Sequence, residues 1–246
     1  MNRNKQLMGA VLIVLGLMCL LSVILPMGYG FWSDAYLLSA DVERPAIDGQ
    51  LSEQAQEIPI VYALYRKRIL SGFDMSTATR EMDTTEQAKR LRELLEGLKN
   101  ADVLPQGCWE TATEIFRFPS AMAYDQEQDG FQQNTYLGYP EAEALGTGVE
   151  VMVQQHEQTG LVTACTVAGG VQPQDNAEDL LNTYRSYLGV DSLQDWKKLE
   201  TQEESAAWWS EMGQIYLFCS LQEGRFFIGA FSLPKEELLA ADFLPS

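Results

Sequence analysis

An uninterrupted apolar run near the start of the chain places the tightest limit on what the chain can fold into. Residues 7–25 read LMGAVLIVLGLMCLLSVIL, and Ser22 is their only polar side chain. These nineteen residues would span roughly 28 Å as an α-helix, close to the hydrocarbon thickness of a bilayer. We therefore predict that residues 1–26 form a short cytoplasmic tail and a transmembrane anchor, with the membrane bound through residues 7–25.

The charges that flank the run predict its orientation. Arg3 and Lys5 precede it, whereas acidic residues follow from Asp34 onward. Because basic flanks stay on the cytoplasmic side, we expect a single-pass protein of the cell membrane whose bulk is extracytoplasmic. A cleaved signal peptide is the alternative, but its small-residue cleavage site normally follows the apolar run directly. Here the nearest such pattern, at residues 38–40, lies well downstream.

The chain beyond the anchor is strongly acidic. The protein has 17 Lys and Arg against 35 Asp and Glu, and two of the basic residues precede the anchor, which leaves 15 against 35 and a formal balance of −20. Such a surface repels phosphate backbones, because affinity for them depends on Lys and Arg replacing counterions. This composition argues against a nucleic-acid partner.

The pattern beyond the anchor predicts an α+β fold. Residues 27–49 read as a juxtamembrane connector with turn signals such as Asp48-Gly49. Residues 50–100 read as a helical segment that packs on a sheet, and residues 101–246 as an α+β extracytoplasmic domain.

Three segments have helical periodicity. Residues 51–70 restart at a proline and place an apolar stripe at Ile58, Tyr62, Tyr65 and Ile69. Residues 83–100 begin with a capping-box-like sequence, Asp83-Thr84-Thr85-Glu86, and residues 175–188 form the third helix.

The predicted sheet is antiparallel and consists of two hairpins plus a short strand. The hairpins are residues 149–154 with 161–167 and residues 215–221 with 225–231, and the short strand is residues 114–118. Phe227 of the second hairpin is expected in the core.

Catalytic residue types are scarce in this sequence. His156 is the only histidine, and its polar surroundings are typical of a solvated turn. Cys108, Cys165 and Cys219 lie beyond the anchor, where an odd count with wide spacing does not form a disulfide framework. We interpret them as buried thiols, with one bridge between Cys165 and Cys219 as the alternative if their strands are neighbours.

One acidic segment resembles a calcium loop in its spacing. Asp125, Glu127 and Asp129 occupy the first, third and fifth positions, and Gly130 the sixth, an arrangement in which alternate oxygens converge on the ion. The twelfth position is Tyr136 instead of a glutamate, so a solvated acidic loop is the alternative.

Two further groups are candidates for partner binding. Arg66, Lys67 and Arg68 form a basic cluster that could dock an acidic surface, or could simply complement a helix C-terminus. Trp208 and Trp209 are adjacent, and because neighbouring residues cannot both face one core, one ring could be exposed for a sugar or a peptide.

These observations favour a non-enzymatic, membrane-anchored protein that binds a protein or peptide partner in the envelope, as a sensor, regulator or assembly factor. The alternatives are a cell-surface module that binds sugar or calcium, and a hydrolase that uses two carboxylates across a cleft.

Overall fold

A large antiparallel sheet organises the protein. The structure is a computed structural model that describes residues 51–71, 79–140, 149–169, 175–222, 224–235 and 237. All of these residues belong to one compact unit, Asp48–Ser246. The strands are β1 (Thr79–Glu81), β2 (Ser120–Gln128), β3 (Phe131–Tyr139), β4 (Val149–His156), β5 (Val162–Ala168), β6 (Lys197–Lys198), β7 (Ser205–Ser210), β8 (Ile215–Ser220) and β9 (Arg225–Ser232).

The strand order is nearly symmetrical about the middle of the sheet. It runs β1-β2-β3-β4-β5-β9-β8-β7-β6, so two meanders meet where β5 pairs with β9, and β5 has four strands on each side. Helices precede the main strands of both meanders. They are α1 (Glu53–Gln56), α2 (Pro59–Ser71), α3 (Thr84–Asn100) and α4 (Gln106–Ile115) before β2, and α5 (Ala177–Tyr187) before β6.

The predicted helices are confirmed, and their sequences explain where they begin. Asp83 caps α3, because its carboxylate accepts hydrogen bonds from the backbone amides of Thr85 and Glu86, both at 2.9 Å. Asn176 caps α5 in the same way. Helix α2 restarts at Pro59, a residue suited to a first turn.

One face of the sheet is covered by α3, α4 and α5. The side chain of Gln87 on α3 bonds to Asn134 on β3, and Ile115 on α4 contacts Gly138 of the same strand. On the other meander, the Arg185 guanidinium of α5 lies over the ring of Trp208. One set of successive register partners crosses the sheet within this core, and all of its side chains are buried. It consists of Asn134, Val153, Cys165, Ile228, Cys219 and Ala206.

The opposite face of the sheet, here called the open face, remains partly exposed. Met122 and Phe231 are 42% and 37% exposed. Between them lie half-buried side chains on the neighbouring strands, which include Tyr124, Leu137, Met152, Phe218 and Phe227.

Both predicted hairpins are confirmed as β4–β5 and β8–β9, but three details of the prediction are wrong. Residues 114–118 do not form a strand, because Cys108, Ala112 and Ile115 are buried at helical spacing on α4. Phe227 is not a core residue, since Phe226 is the ring that is fully buried. The stripe predicted on α2 is also displaced.

The displaced stripe changes which residues of α2 are available. The buried side of α2 consists of Ile60, Val61, Leu64 and Tyr65, whereas Tyr62 is only half-buried. This side packs against β8 and β9.

The β2–β3 hairpin is the largest element that the sequence pattern missed. Its tip is Asp129-Gly130, and both residues have positive φ, 52° and 77°, as a two-residue type I′ turn requires. Buried Asp125 and Asn134 replace the apolar side chains that usually reveal a strand.

The predicted anchor and connector, residues 1–49, lie outside the described residues. Among the described residues, no helix is both long and apolar enough to cross a membrane.

Candidate functional site

Cys108, Cys165 and Cys219 are free and buried, as predicted. Cys165 and Cys219 lie on β5 and β8, with Ile228 of β9 between them in the pairing register, so their strands are not neighbours. Burial raises the pKa of the Cys219 thiol to about 12 and also raises the pKa values of Cys108 and Cys165. Protonated, enclosed thiols are poor nucleophiles, so these residues contribute packing rather than chemistry.

The residues of the acidic segment lie along one hairpin and do not converge. Asp125 is buried within β2 and accepts two hydrogen bonds from the Arg80 guanidinium, at 3.1 and 2.5 Å. Glu127 is exposed on the same strand, and Asp129 occupies the turn. Among the described residues, no group of three or more His, Cys, Asp or Glu side chains is placed to hold a metal ion.

The basic cluster of α2 is divided among three environments. The Lys67 ammonium lies 4.6 Å from the centre of the Phe131 ring, and burial lowers its pKa although the Asp129 charge opposes that shift. Arg68 donates to the side-chain carbonyl of Gln214 at 2.9 Å. Arg66 alone is exposed, so it is the member of the cluster that can meet a partner directly.

The two adjacent tryptophans pack on opposite faces of β7. Trp209 is 1% exposed and donates from its indole nitrogen to the carbonyl of Leu233 at 3.4 Å. Trp208 is half-buried beneath Arg185 and beside Trp196, with ring centres 6.5 Å apart. Neither ring forms an exposed platform for a sugar.

A cleft brings together residues from several of the sequence candidates. It lies between α2, the β2–β3 turn and the β4–β5 turn, has a volume of about 630 Å³, and is here called the α2 cleft. This volume is within the range of about 300–1,000 Å³ that is common for ligand pockets. The lining residues are Pro59, Tyr62, Ala63, Arg66, Leu70, Asp129, Gly130, His156, Gln158 and Thr159.

His156 is a buried wall residue of this cleft rather than the solvated turn residue that its polar neighbours indicated. It is 6% exposed, and its ring lies 4.8 Å from that of Phe131. Its Nδ1 is 3.0 Å from the Thr159 hydroxyl, within hydrogen-bond distance. Burial lowers the imidazole pKa, and the nearby Glu157 opposes that change only in part, so the ring is neutral at pH 7.

The cleft offers polar groups of both kinds beside an apolar wall. Arg66 provides a cation and Asp129 a carboxylate, and the Gln158 amide and Thr159 hydroxyl can both donate and accept hydrogen bonds. Tyr62 and Leu70 supply apolar surface. Within the described part of the chain, no carboxylate forms an ion pair with Arg66.

Sequence reasoning found Arg66 and Asp129 separately and missed Tyr62, Gln158 and Thr159 as neighbours. The cleft joins α2 to the β2–β3 and β4–β5 turns, which are about 65 and 90 residues away in the chain. Local sequence patterns carry no information about contacts at such separations.

Comparisons with known proteins add no further constraint on this site. No protein-family model, curated protein or solved structure matches this chain.

Proposed function

We propose that this chain is a membrane-anchored, extracytoplasmic binding protein that holds a peptide segment of another envelope protein in the α2 cleft. The anchor is the apolar run at residues 7–25, whose basic flank favours a cytoplasmic N-terminus. The observation that carries the binding proposal is the convergence of Arg66, Asp129 and His156 with an apolar wall in one cleft.

A peptide suits this lining better than a purely apolar or purely ionic ligand. An extended peptide presents backbone N–H and C=O groups in alternation, which Gln158 and Thr159 can satisfy. An acidic side chain or a terminal carboxylate of the peptide would bind the Arg66 guanidinium, and Asp129 would face a donor. Tyr62 and Leu70 would cover an apolar side chain.

The surroundings of His156 and the absence of a described cysteine from the cleft favour binding over catalysis. The His156 imidazole is enclosed and bonded to Thr159, and no described cysteine lines the cleft. Among the described residues, the Thr159 hydroxyl is the only nucleophile bonded to this imidazole, and no further side chain is bonded to the ring to orient it as a base.

Site-specific photo-cross-linking tests this proposal. A photoreactive residue at the exposed position Gln158 of the full chain in its native membrane should produce one reproducible adduct with a neighbouring protein. Arg66→Glu should abolish that adduct, because it places a carboxylate where the ligand's carboxylate is expected. Arg117→Glu is the matched control, since Arg117 is an exposed arginine that does not line the cleft, and it should leave the adduct intact.

The control also separates a specific site from a general charge effect. Equal losses of adduct in Arg66→Glu and Arg117→Glu would mean that the overall charge matters and the cleft does not. An adduct that persists at full yield in Arg66→Glu would contradict the proposal.

A further inference from the structure

Met122 is the most exposed methionine of the described residues. It is 42% exposed, whereas Met82, Met152 and Met212 are each half-buried. On β2 it precedes the stretch that pairs with β1, which begins at Tyr124. The outer side of β2 at Met122 therefore pairs with no described strand and lies at the edge of the sheet. The side chain is open to small solutes at this edge.

Two tyrosine hydroxyls lie beside the Met122 sulfur on the open face. Tyr124, two residues further along β2, donates from its hydroxyl to Sδ at 3.1 Å. Tyr139 of β3 lies diagonally across the strand pair and approaches the same atom with its hydroxyl at 3.8 Å. Within the described chain, the sulfur is the only hydrogen-bond partner of either hydroxyl. Two polar donors thus converge on the sulfur of an exposed methionine.

A thioether is a weak partner for these two donors. Its sulfur is only a weak hydrogen-bond acceptor, whereas oxidation to a sulfoxide adds an oxygen atom to the sulfur and makes the side chain polar. That oxygen carries the negative end of the S–O bond, so it accepts hydrogen bonds better than the sulfur does. The Tyr139 hydroxyl, at 3.8 Å, stands far enough from the sulfur for such an oxygen to lie within its reach. The pair of hydroxyls therefore suits the oxidised side chain better than the reduced one.

From this arrangement we propose that Met122 is an oxidation site, at which hydrogen peroxide converts the thioether into a sulfoxide. A lone pair of the sulfur attacks one peroxide oxygen, so that an S–O bond forms as the O–O bond breaks. The sulfur loses two electrons and the peroxide gains them. The proton on the transferred oxygen passes to the departing hydroxide, which leaves as water. Because Met122 does not line the α2 cleft, this site is separate from the proposed binding site.

The two tyrosines have different roles in this reaction. Tyr139 donates to the transferred oxygen as negative charge develops on it, and a donor already in place stabilises such charge without reorganisation. Tyr124, at 3.1 Å, occupies one lone pair of the sulfur, so the peroxide is attacked through the other. Attack through a single lone pair produces one sulfoxide epimer. A methionine that was merely exposed would produce both.

Oxidation of the full chain in isolated membranes tests the site. Hydrogen peroxide is added in small excess, and mass spectrometry of the proteolytic peptides records which methionines gain one oxygen atom. Met122 should be oxidised first, ahead of the half-buried Met82, Met152 and Met212, which serve as internal controls in the same sample. The proposal is overturned if any of these three methionines is oxidised at the rate of Met122 or faster.

Two tyrosine variants form a matched pair, because each removes one hydroxyl beside the same sulfur and keeps the ring. Tyr139→Phe should slow the oxidation of Met122 roughly two- to tenfold, the rate equivalent of one net hydrogen bond, and leave that of Met152 unchanged. Tyr124→Phe should not slow it, but should replace the single epimer with a mixture, which reductases specific for each epimer distinguish. Full-rate oxidation of Met122 in Tyr139→Phe, or a mixture of epimers in the unaltered chain, overturns the proposal.

Discussion

Two adjacent phenylalanines on β9 allow a direct test of which face of the sheet is the core. Phe226 is fully buried among the helices, whereas Phe227 is half-buried on the open face. Phe226→Ala should destabilise the protein by about 3–5 kcal/mol, the usual cost of an emptied core site. Phe227→Ala removes ring contacts to Phe218 and Phe231, at 5.9 and 6.1 Å, and should cost about 1–2 kcal/mol.

The assay is urea unfolding of a fragment that spans residues 48–246, which form one compact unit. The midpoint should fall much further for Phe226→Ala than for Phe227→Ala, with an unchanged slope in both. In a thermal scan the difference amounts to about 2–4 °C per kcal/mol for a chain of this length. Equal losses, or a larger loss for Phe227→Ala, would refute the assignment of faces and the open face with it.

Three further predictions concern single residues. Asp83→Ala should cost about 1 kcal/mol in the same urea assay, because two amides of the first turn of α3 lose their acceptor. The free energy of unfolding should fall as the pH drops below about 6.5. In that range His156 takes up a proton in the unfolded chain, whereas burial lowers its pKa in the folded chain and keeps the imidazole neutral. His156→Gln should reduce this slope between pH 7 and 5.5, and an unchanged slope would show that other groups cause it. Calcium should leave the melting temperature unaltered, because Asp125 is already held by Arg80; a calcium-dependent rise that Asp125→Ala removes would revive the calcium hypothesis.

Local signals predicted most of the helices and two of the hairpins. The capping sequence at Asp83 and the apolar periodicity of residues 84–100 are complete within one element, so they identify α3 without its neighbours. The strand pairs β4–β5 and β8–β9 are each joined by a short turn and are rich in apolar residues, so their sequences identify them as hairpins.

Elements with a polar buried side were missed because their burial depends on distant partners. On β2 and β3, buried Asp125 accepts hydrogen bonds from Arg80 and the side-chain carbonyl of buried Asn134 accepts one from Gln87, and both donors lie on other elements. Asp129-Gly130 is a strong hairpin signal, yet the carboxylates around it also matched part of a calcium loop. Spacing alone cannot separate these readings, since both place acidic residues at alternate positions.

The candidate site was predictable only in pieces. Arg66 was found as part of a basic cluster and Asp129 as part of a calcium-loop spacing. Lys67 and Arg68 belong to the same basic cluster as Arg66, but they contact Phe131 and Gln214 instead of facing a partner. Which member of a charged run is exposed depends on the orientation of α2 against β8 and β9, and that is a tertiary property.

The binding proposal depends above all on the domain being outside the membrane, and protease protection measures this directly. Protease added to intact spheroplasts that express the full chain should digest the region beyond residue 26 while the tail before residue 7 stays protected. Leu15→Asp with Leu17→Asp should release the anchor, because each charge at mid-helix costs about 2.5–3.5 kcal/mol on insertion scales. If the domain resists protease until the spheroplasts are lysed, or if the unaltered full-length chain is recovered as a soluble cytoplasmic pool, the account of an anchored extracytoplasmic binding protein is contradicted.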